Sequence, residues 1–195
     1  NEAWFFHVPG LKIVYPSTPF DAKGLLCAAI EDPNPVMYFE HKALYRAIEE
    51  NIPVEYYTLE IGKARRVRQG EALSIITYGA GVHWAEEAVR NNHLVAEAGG
   101  ADVLDLRTLL PLDFEAIAAT VKKTGKVLVL HEDTLTGGIG AEISAWISEH
   151  LFEFLDAPVM RCASLDTPVP FSLTLEKNFL ASSRLNAYIE KLLRY

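Results

Sequence analysis

The chain has 195 residues, of which 50% are hydrophobic, 23% charged and 10% aromatic, the composition of a globular protein and not of a disordered or fibrous one. Lys plus Arg number 18 against 26 Asp plus Glu, so the net charge of −8 offers no global positive field to a nucleic-acid backbone or an anionic membrane. No apolar run approaches the roughly 20 residues of a membrane span, and Asn1-Glu2-Ala3-Trp4 has neither the basic region nor the apolar stretch of a signal peptide.

In chain order, Trp4-Phe5-Phe6 places three large aromatics where a preceding segment or a partner is expected to cover them. Leu11 to Tyr15 reads as a strand. Ser17, with Pro19 in the first turn, is expected to cap a helix whose apolar residues Phe20, Ala22, Leu25, Leu26, Ala29 and Ile30 recur at helical spacing, ending before Pro33. A second strand follows at Val36 to Glu40. From Glu49 to Glu71, Pro53, Tyr56-Tyr57 and the basic residues Lys63, Arg65, Arg66 and Arg68 break both periodicities, which reads as a solvated linker or a contact to an acidic partner.

Beyond it, strands at Leu73 to Tyr78, Asp102 to Leu106, Lys126 to Leu130 and Pro158 to Ala163 alternate with helices at Val82 to Ala96, Asp113 to Lys123, Ile139 to Phe154 and Ser183 to Leu193. Runs such as Val127-Leu128-Val129-Leu130 fit strands buried on both faces, so the fold class is α/β with a mostly parallel sheet and helices on both faces. The later region is long enough for a doubly wound domain of its own. The first 50 residues, with two strands and one helix, cannot cover both faces of a sheet and are expected to end a larger α/β domain.

Several strings carry possible chemistry. His131-Glu132-Asp133-Thr134-Leu135-Thr136-Gly137-Gly138-Ile139-Gly140 follows a buried strand and opens a helix, a setting that can hold an anion. Its spacing matches neither GxGxxG nor GxxxxGK[ST], and the two upstream carboxylates repel an anion, so the competing reading is glycines that let the helix pack closely on the sheet or on another subunit. His131 with Glu132 suits acid/base chemistry or a structural pair. At Glu31-Asp32-Pro33-Asn34-Pro35 the prolines supply no N–H, which frees carbonyls that could ligate a hard cation or simply form a tight turn. The six histidines have no zinc-like spacing, no GxSxG elbow occurs, and Cys27 and Cys162 read as separate buried thiols in a reducing compartment.

HVPGLKIVYPSTPFDAKGLL, IEDPNPVMYFEHKALYR, YTLEIGKARRVRQG, DVLDLRTLLPLD, VKKTGKVLVLHEDTLTGGIGAEI, LDAPVMR and DTPVP, in that order, resemble the beta subunit of thiamine-diphosphate-dependent 2-oxo acid dehydrogenases, relatives of transketolase. The resemblance runs from His7 to Tyr195 and implies the end of a pyrimidine-binding domain over residues 1–66 and a transketolase C-terminal domain over 67–195. It implies a part in the oxidative decarboxylation of a 2-oxo acid, branched-chain in preference to pyruvate, with acyl transfer to lipoamide. Thiamine diphosphate and magnesium serve the intact enzyme. The family's activating glutamate and active-site histidine precede Asn1, so no catalytic or cofactor-binding residue is assigned and the chain alone is expected to be inactive.

The resemblance further implies potassium held by main-chain oxygens of Ala29, Asp32 and Asn34. Partners would be an alpha subunit or fused alpha region, a second beta copy meeting at Trp4, Phe5 or Phe6 or at the helix start from Gly137 to Ile143, and the acyltransferase subunit-binding domain, docked by Asp156 and the carboxylate of Tyr195. It implies a soluble protein, cytoplasmic in a bacterium and in the mitochondrial matrix of a eukaryote. Two alternatives stand beside this reading: another transketolase-like enzyme, such as a sugar-phosphate ketolase or synthase that would need a basic phosphate grip, and a non-catalytic docking domain.

Overall fold

Two sheets organise residues 2–195, the part of the chain that the computed structural model describes. The elements in chain order are α1 (Ala3–Phe6), β1 (Lys12–Val14), α2 (Pro19–Glu31), β2 (Val36–Tyr38), α3 (Leu44–Ala47), β3 (Arg65–Arg68), β4 (Leu73–Thr77), α4 (Ala80–Asn91), α5 (His93–Glu97), β5 (Ala101–Asp105), β6 (Thr108–Leu110), α6 (Phe114–Thr124), β7 (Val127–Thr134), α7 (Ile139–His150), β8 (Met160–Ser164), α8 (Leu173–Phe179) and α9 (Leu185–Leu193). The larger sheet has the order β3-β5-β4-β7-β8, parallel except for the antiparallel edge strand β3. In the smaller sheet, β2-β1-β6, Ile13 of β1 lies opposite Met37 of the parallel β2 and opposite Leu110 of the antiparallel β6. Because β6 follows β5 directly, the smaller sheet is completed by the region that builds the larger one.

Every residue of β4 and β5 is buried, as in strands covered on both faces, including the polar Ser74, Thr77, Asp102 and Asp105. One face packs on α4, α5 and α9 through Ala85, Val89, Val95, Ile189 and Leu192. The other packs on α6 and α7 through Ile117, Val121, Ile139, Ile143 and Ile147. The chain thus leaves β4 toward one face and β7 toward the opposite face, and between these two strands lies the topological switch point of the sheet.

Local chemistry sets the helix ends. Thr18, not Ser17, caps α2: its Oγ1 accepts from the Asp21 N–H at 3.2 Å, an interaction that contributes about 1 kcal/mol. The helix stops at Glu31, ahead of Pro33. The single helix expected from Val82 to Ala96 is two, because the Asn92 Oδ1 accepts from Leu94 and Val95 and starts α5 anew. Asp113 caps α6, and Gly125, with φ of 66°, ends it in the left-handed conformation. The helix expected from Ile139 to Phe154 likewise divides into α7 and a 3-10 turn at Phe152–Phe154.

Two strands went unrecognised in the sequence. β3 is charged and lies at an edge, and β6 has three residues bounded by Pro111. Within the connector expected from Glu49 to Glu71, Arg65–Arg68 form β3 and the residues on either side of it are irregular.

Candidate functional site

A buried charge cluster joins the two sheets. Asp21 of α2 and Asp105 at the end of β5 are both fully buried. The Arg107 Nη1 donates to Asp21 Oδ1 at 3.1 Å, and the Arg65 Nη2 lies 3.3 Å from Asp21 Oδ2 and 3.4 Å from Asp105 Oδ2. Ser17 Oγ donates to Asp105 Oδ2, and the Arg107 N–H donates to Asp105 Oδ1 at 3.1 Å. Arg107 adopts a positive φ of 54°, from which its carbonyl accepts from the Tyr15 N–H and its guanidinium reaches the carbonyls of Lys63 and Ala64. Burial pushes the Asp105 carboxyl up to about 6, against the opposing pull of the Ser17 hydroxyl and the Arg65 charge.

The basic stretch is therefore neither a free linker nor a phosphate grip. Arg65 serves this cluster, and Arg66 lies 3.3 Å from the buried Asp102. Asp102 also accepts from the Thr120 hydroxyl, itself linked to Ser74. Sequence reasoning missed both clusters, although an Asp near each end of the apolar string Asp102-Val103-Leu104-Asp105 signals buried carboxylates in need of cations.

The carboxyl ends of β4 and β7 carry a second cluster. His131 is fully buried, with its Nδ1 3.1 Å from the Asp133 carbonyl and its ring against Gly138 and Gly140; a β-carbon on Gly140 would fall 2.6 Å from its Nε2. The glycines thus serve close packing of α7 on β7. Burial lowers the His131 pKa and favours the neutral imidazole. Glu132 turns away to His41, which follows β2, at 2.9 Å, and its hydrogen bond raises the His41 pKa. His131 and Glu132 consequently do not form one acid/base unit. Tyr78 Oη donates to the Glu2 carboxylate, which is itself buried, and the Ala3 N–H lies 3.4 Å from Asp133 Oδ2.

At the turn after α2, Pro33 leaves the Ala29 carbonyl without its usual donor four residues on. The Asp32 carboxylate accepts from Lys12 and from the backbone and side chain of Asn34, and the Lys12 bond holds its carboxyl down at about 2. Asp156 is exposed and its N–H donates to the Gly125 carbonyl at 2.8 Å, while the neighbouring Lys126 ammonium lies 3.5 Å from the Leu193 carbonyl, two residues before the exposed Tyr195. Asp156 and Tyr195 therefore lie toward the same end of the larger sheet. Trp4 is 81% exposed, Phe5 packs edge-on to Phe39, and Ile139 and Ile143 of the α7 start are consumed inside the chain. Both cysteines are free; Cys27 is half-buried, and burial pushes the Cys162 thiol up to about 11.

The family model "Transketolase, C-terminal domain" matches residues 62–184, which contain the whole larger sheet, and the model "Transketolase, pyrimidine binding domain" matches residues 1–48. The chain belongs to the transketolase C-terminal domain family. Among similar proteins, the 2-oxoisovalerate dehydrogenase subunit beta of Bacillus subtilis (strain 168) is 50% identical over 182 residues, 93% of this chain and 55% of that protein. The pyruvate dehydrogenase E1 component subunit beta of Porphyra purpurea is 48% identical over 176 residues, 90% of this chain and 52% of that protein. The chain spans about half the length of these curated relatives. A solved structure described as "Split gene transketolase, inactive beta4 tetramer" shares the fold with a TM-score of 0.78 at 22% identity, over 98% of this chain and 60% of that one. No helix among the described residues is long and apolar enough to cross a membrane.

Proposed function

We propose that this chain works in the beta subunit of the decarboxylating component of a 2-oxo acid dehydrogenase complex, where it supplies subunit interface and docking. The observation that carries this reading is the 50% identity, over 93% of the chain, to a 2-oxoisovalerate dehydrogenase beta subunit. In this reading residues 1–66 belong to the pyrimidine-binding unit and its linker, and residues 67–195 form the C-terminal domain. Partners are an alpha subunit and a second beta copy that covers Trp4. Branched-chain 2-oxo acids are preferred to pyruvate.

Thiamine diphosphate, when bound, supplies the carbanion chemistry of decarboxylation. The residues described here do not fit that group. Among the described residues no group of three or more His, Cys, Asp or Glu side chains is placed to hold a metal ion, so the chain offers no all-protein magnesium cage. A cavity of about 270 Å³ by the carboxyl ends of β1 and β2 is lined by the apolar Pro16, Pro19, Ala22, Leu44 and Ile48 and by the polar Ser17, Thr18, Glu40, His41 and Tyr45. In this reading the chain contributes scaffold, and the reacting groups are assigned to no residue of it. Pure chain supplied with thiamine diphosphate and magnesium is expected to release no carbon dioxide from 2-oxoisovalerate or pyruvate, and measurable release would overturn the assignment.

The main-chain oxygens of Ala29, Asp32 and Asn34 are proposed to hold potassium. The freed Ala29 carbonyl and the all-oxygen donor set favour it, and potassium is expected to raise the melting temperature above that in equal sodium. Asp156 and the Tyr195 carboxylate are proposed to dock the subunit-binding domain of the acyltransferase core. Their placement toward one end of the sheet supports this, because a basic partner could then engage both.

A further inference from the structure

We propose that residues 41–48 form a strap that the His41–Glu132 pair clasps to the larger sheet, and that this clasp loosens as the solution turns from mildly acid to mildly alkaline. The strap leaves the smaller sheet after β2 and contains the four-residue helix α3. None of its residues is buried, and Tyr45 is 61% exposed. Its backbone hydrogen bonds are local: the Leu44 and Ile48 N–H groups donate to the His41 and Leu44 carbonyls at 2.9 and 3.3 Å. Fixed points lie on either side of it, where the Phe39 N–H donates to the Val14 carbonyl at 2.9 Å and the Glu50 carboxylate accepts from the Phe20 N–H at 3.0 Å. Between them the one polar tie to the body of the molecule, among the described residues, is His41, whose Nε2 lies 2.9 Å from Glu132 Oε2 on β7, in the other sheet.

Apolar packing does little to fix the strap. Leu44, Tyr45 and Ile48 line a cavity of about 270 Å³ together with Pro16, Pro19 and Ala22 instead of closing on them. A segment with few buried apolar contacts and exposed local hydrogen bonds opens at low cost, so the clasp weighs heavily on its position. The His41 Nδ1 has no hydrogen-bond partner among the described residues, which leaves Glu132 to orient the ring. The hydrogen bond to Glu132 raises the His41 pKa, with a further push from the Glu2 carboxylate, against the opposing effect of burial. The other ionisable groups nearby are accounted for: Asp133 accepts from the Ala3 and Thr134 N–H groups, the Tyr45 hydroxyl donates to Glu40, Tyr15 stacks on Phe39, and Lys42 and Arg46 are exposed. Protonated His41 gives Glu132 a charge-assisted bond, and the neutral ring a weaker one. Because the clasped ring has a raised pKa, the added strength is fully present below the ordinary histidine value of about 6.5 and is lost as pH rises through the higher value of the clasped form.

Amide hydrogen exchange on the full chain, corrected for the intrinsic rate at each pH, tests the clasp. A four-residue turn is not stable in isolation, so its local hydrogen bonds report release of the strap. Protection of the Leu44 and Ile48 amides should fall several-fold between about pH 6 and about pH 8.5, while the β4 amides keep theirs. In His41→Gln and in Glu132→Gln the strap amides should be weakly protected already at the lower pH and should not change with it. Titration of the histidine ring resonances gives a second readout: the His41 midpoint should drop in Glu132→Gln. Strap protection that holds constant with pH, an equal pH dependence in the unsubstituted chain and His41→Gln, loss of β4 protection together with the strap, or a His41 midpoint unmoved in Glu132→Gln would each overturn the proposal.

Discussion

In the larger sheet every residue of β4 and β5 is buried, whereas in the smaller sheet all three residues of β2 remain half-exposed. Both sheets contain parallel strands with short apolar sequences, so strand chemistry does not explain the contrast. The layers do. Helices α4, α5 and α9 cover one face of the larger sheet and α6 and α7 the other, while the smaller sheet has α2, whose Ile30 is 76% exposed, and depends on contacts with its larger neighbour. The difference teaches that the C-terminal region carries a core of its own, whereas the N-terminal region is joined to it both by the Asp21, Asp105, Arg65 and Arg107 cluster and by apolar contacts of Ile13, Tyr15, Met37 and Phe39.

The most severe test of that contrast pairs two core truncations. Ile75→Ala in β4 is expected to cost about 4 kcal/mol and Met37→Ala in β2 about 1 kcal/mol by urea unfolding; equal losses would break the comparison. Arg107→Ala strips a partner from the buried Asp21 and is expected to cost about 3 kcal/mol, with hydrogen exchange accelerated in β1 and α2 before β4.

The Asp105 carboxyl is raised to about 6 in the folded chain against about 4 unfolded, because burial outweighs its hydroxyl and guanidinium partners. Its contribution is therefore fully present below about pH 4 and is lost as pH rises through about 6, a change of up to about 3 kcal/mol. Asp105→Asn should flatten that part of the stability profile, and an unchanged slope would refute the account of the cluster. The smallest effect is local: Thr18→Ala should cost about 1 kcal/mol, and Ser17→Ala should leave the α2 cap intact.

The alternation from β4 to α9, β6 and α8 excepted, was legible because long apolar strands and periodic helices speak for themselves. Burial of β7 on both faces, for instance, follows from Val127-Leu128-Val129-Leu130 alone. Elements set by tertiary pairing were not. β3 becomes a strand through its ladder with β5, and its arginines read as linker until Asp21, Asp102 and Asp105 are seen behind them. The Gly137-Gly138-Ile139-Gly140 string announced a special turn. That it packs on His131, while Glu132 reaches across to His41, depends on contacts distant in sequence. The Glu2 carboxylate was invisible for the same reason: its partner Tyr78 lies 76 residues away.

The most direct test of the proposed role is a calorimetric titration of the chain with the subunit-binding domain of an acyltransferase core, at low and high salt. The account predicts binding at micromolar affinity or tighter, weakened by salt and lost in Asp156→Ala. Absence of binding, or an affinity indifferent to both salt and Asp156→Ala, would contradict it.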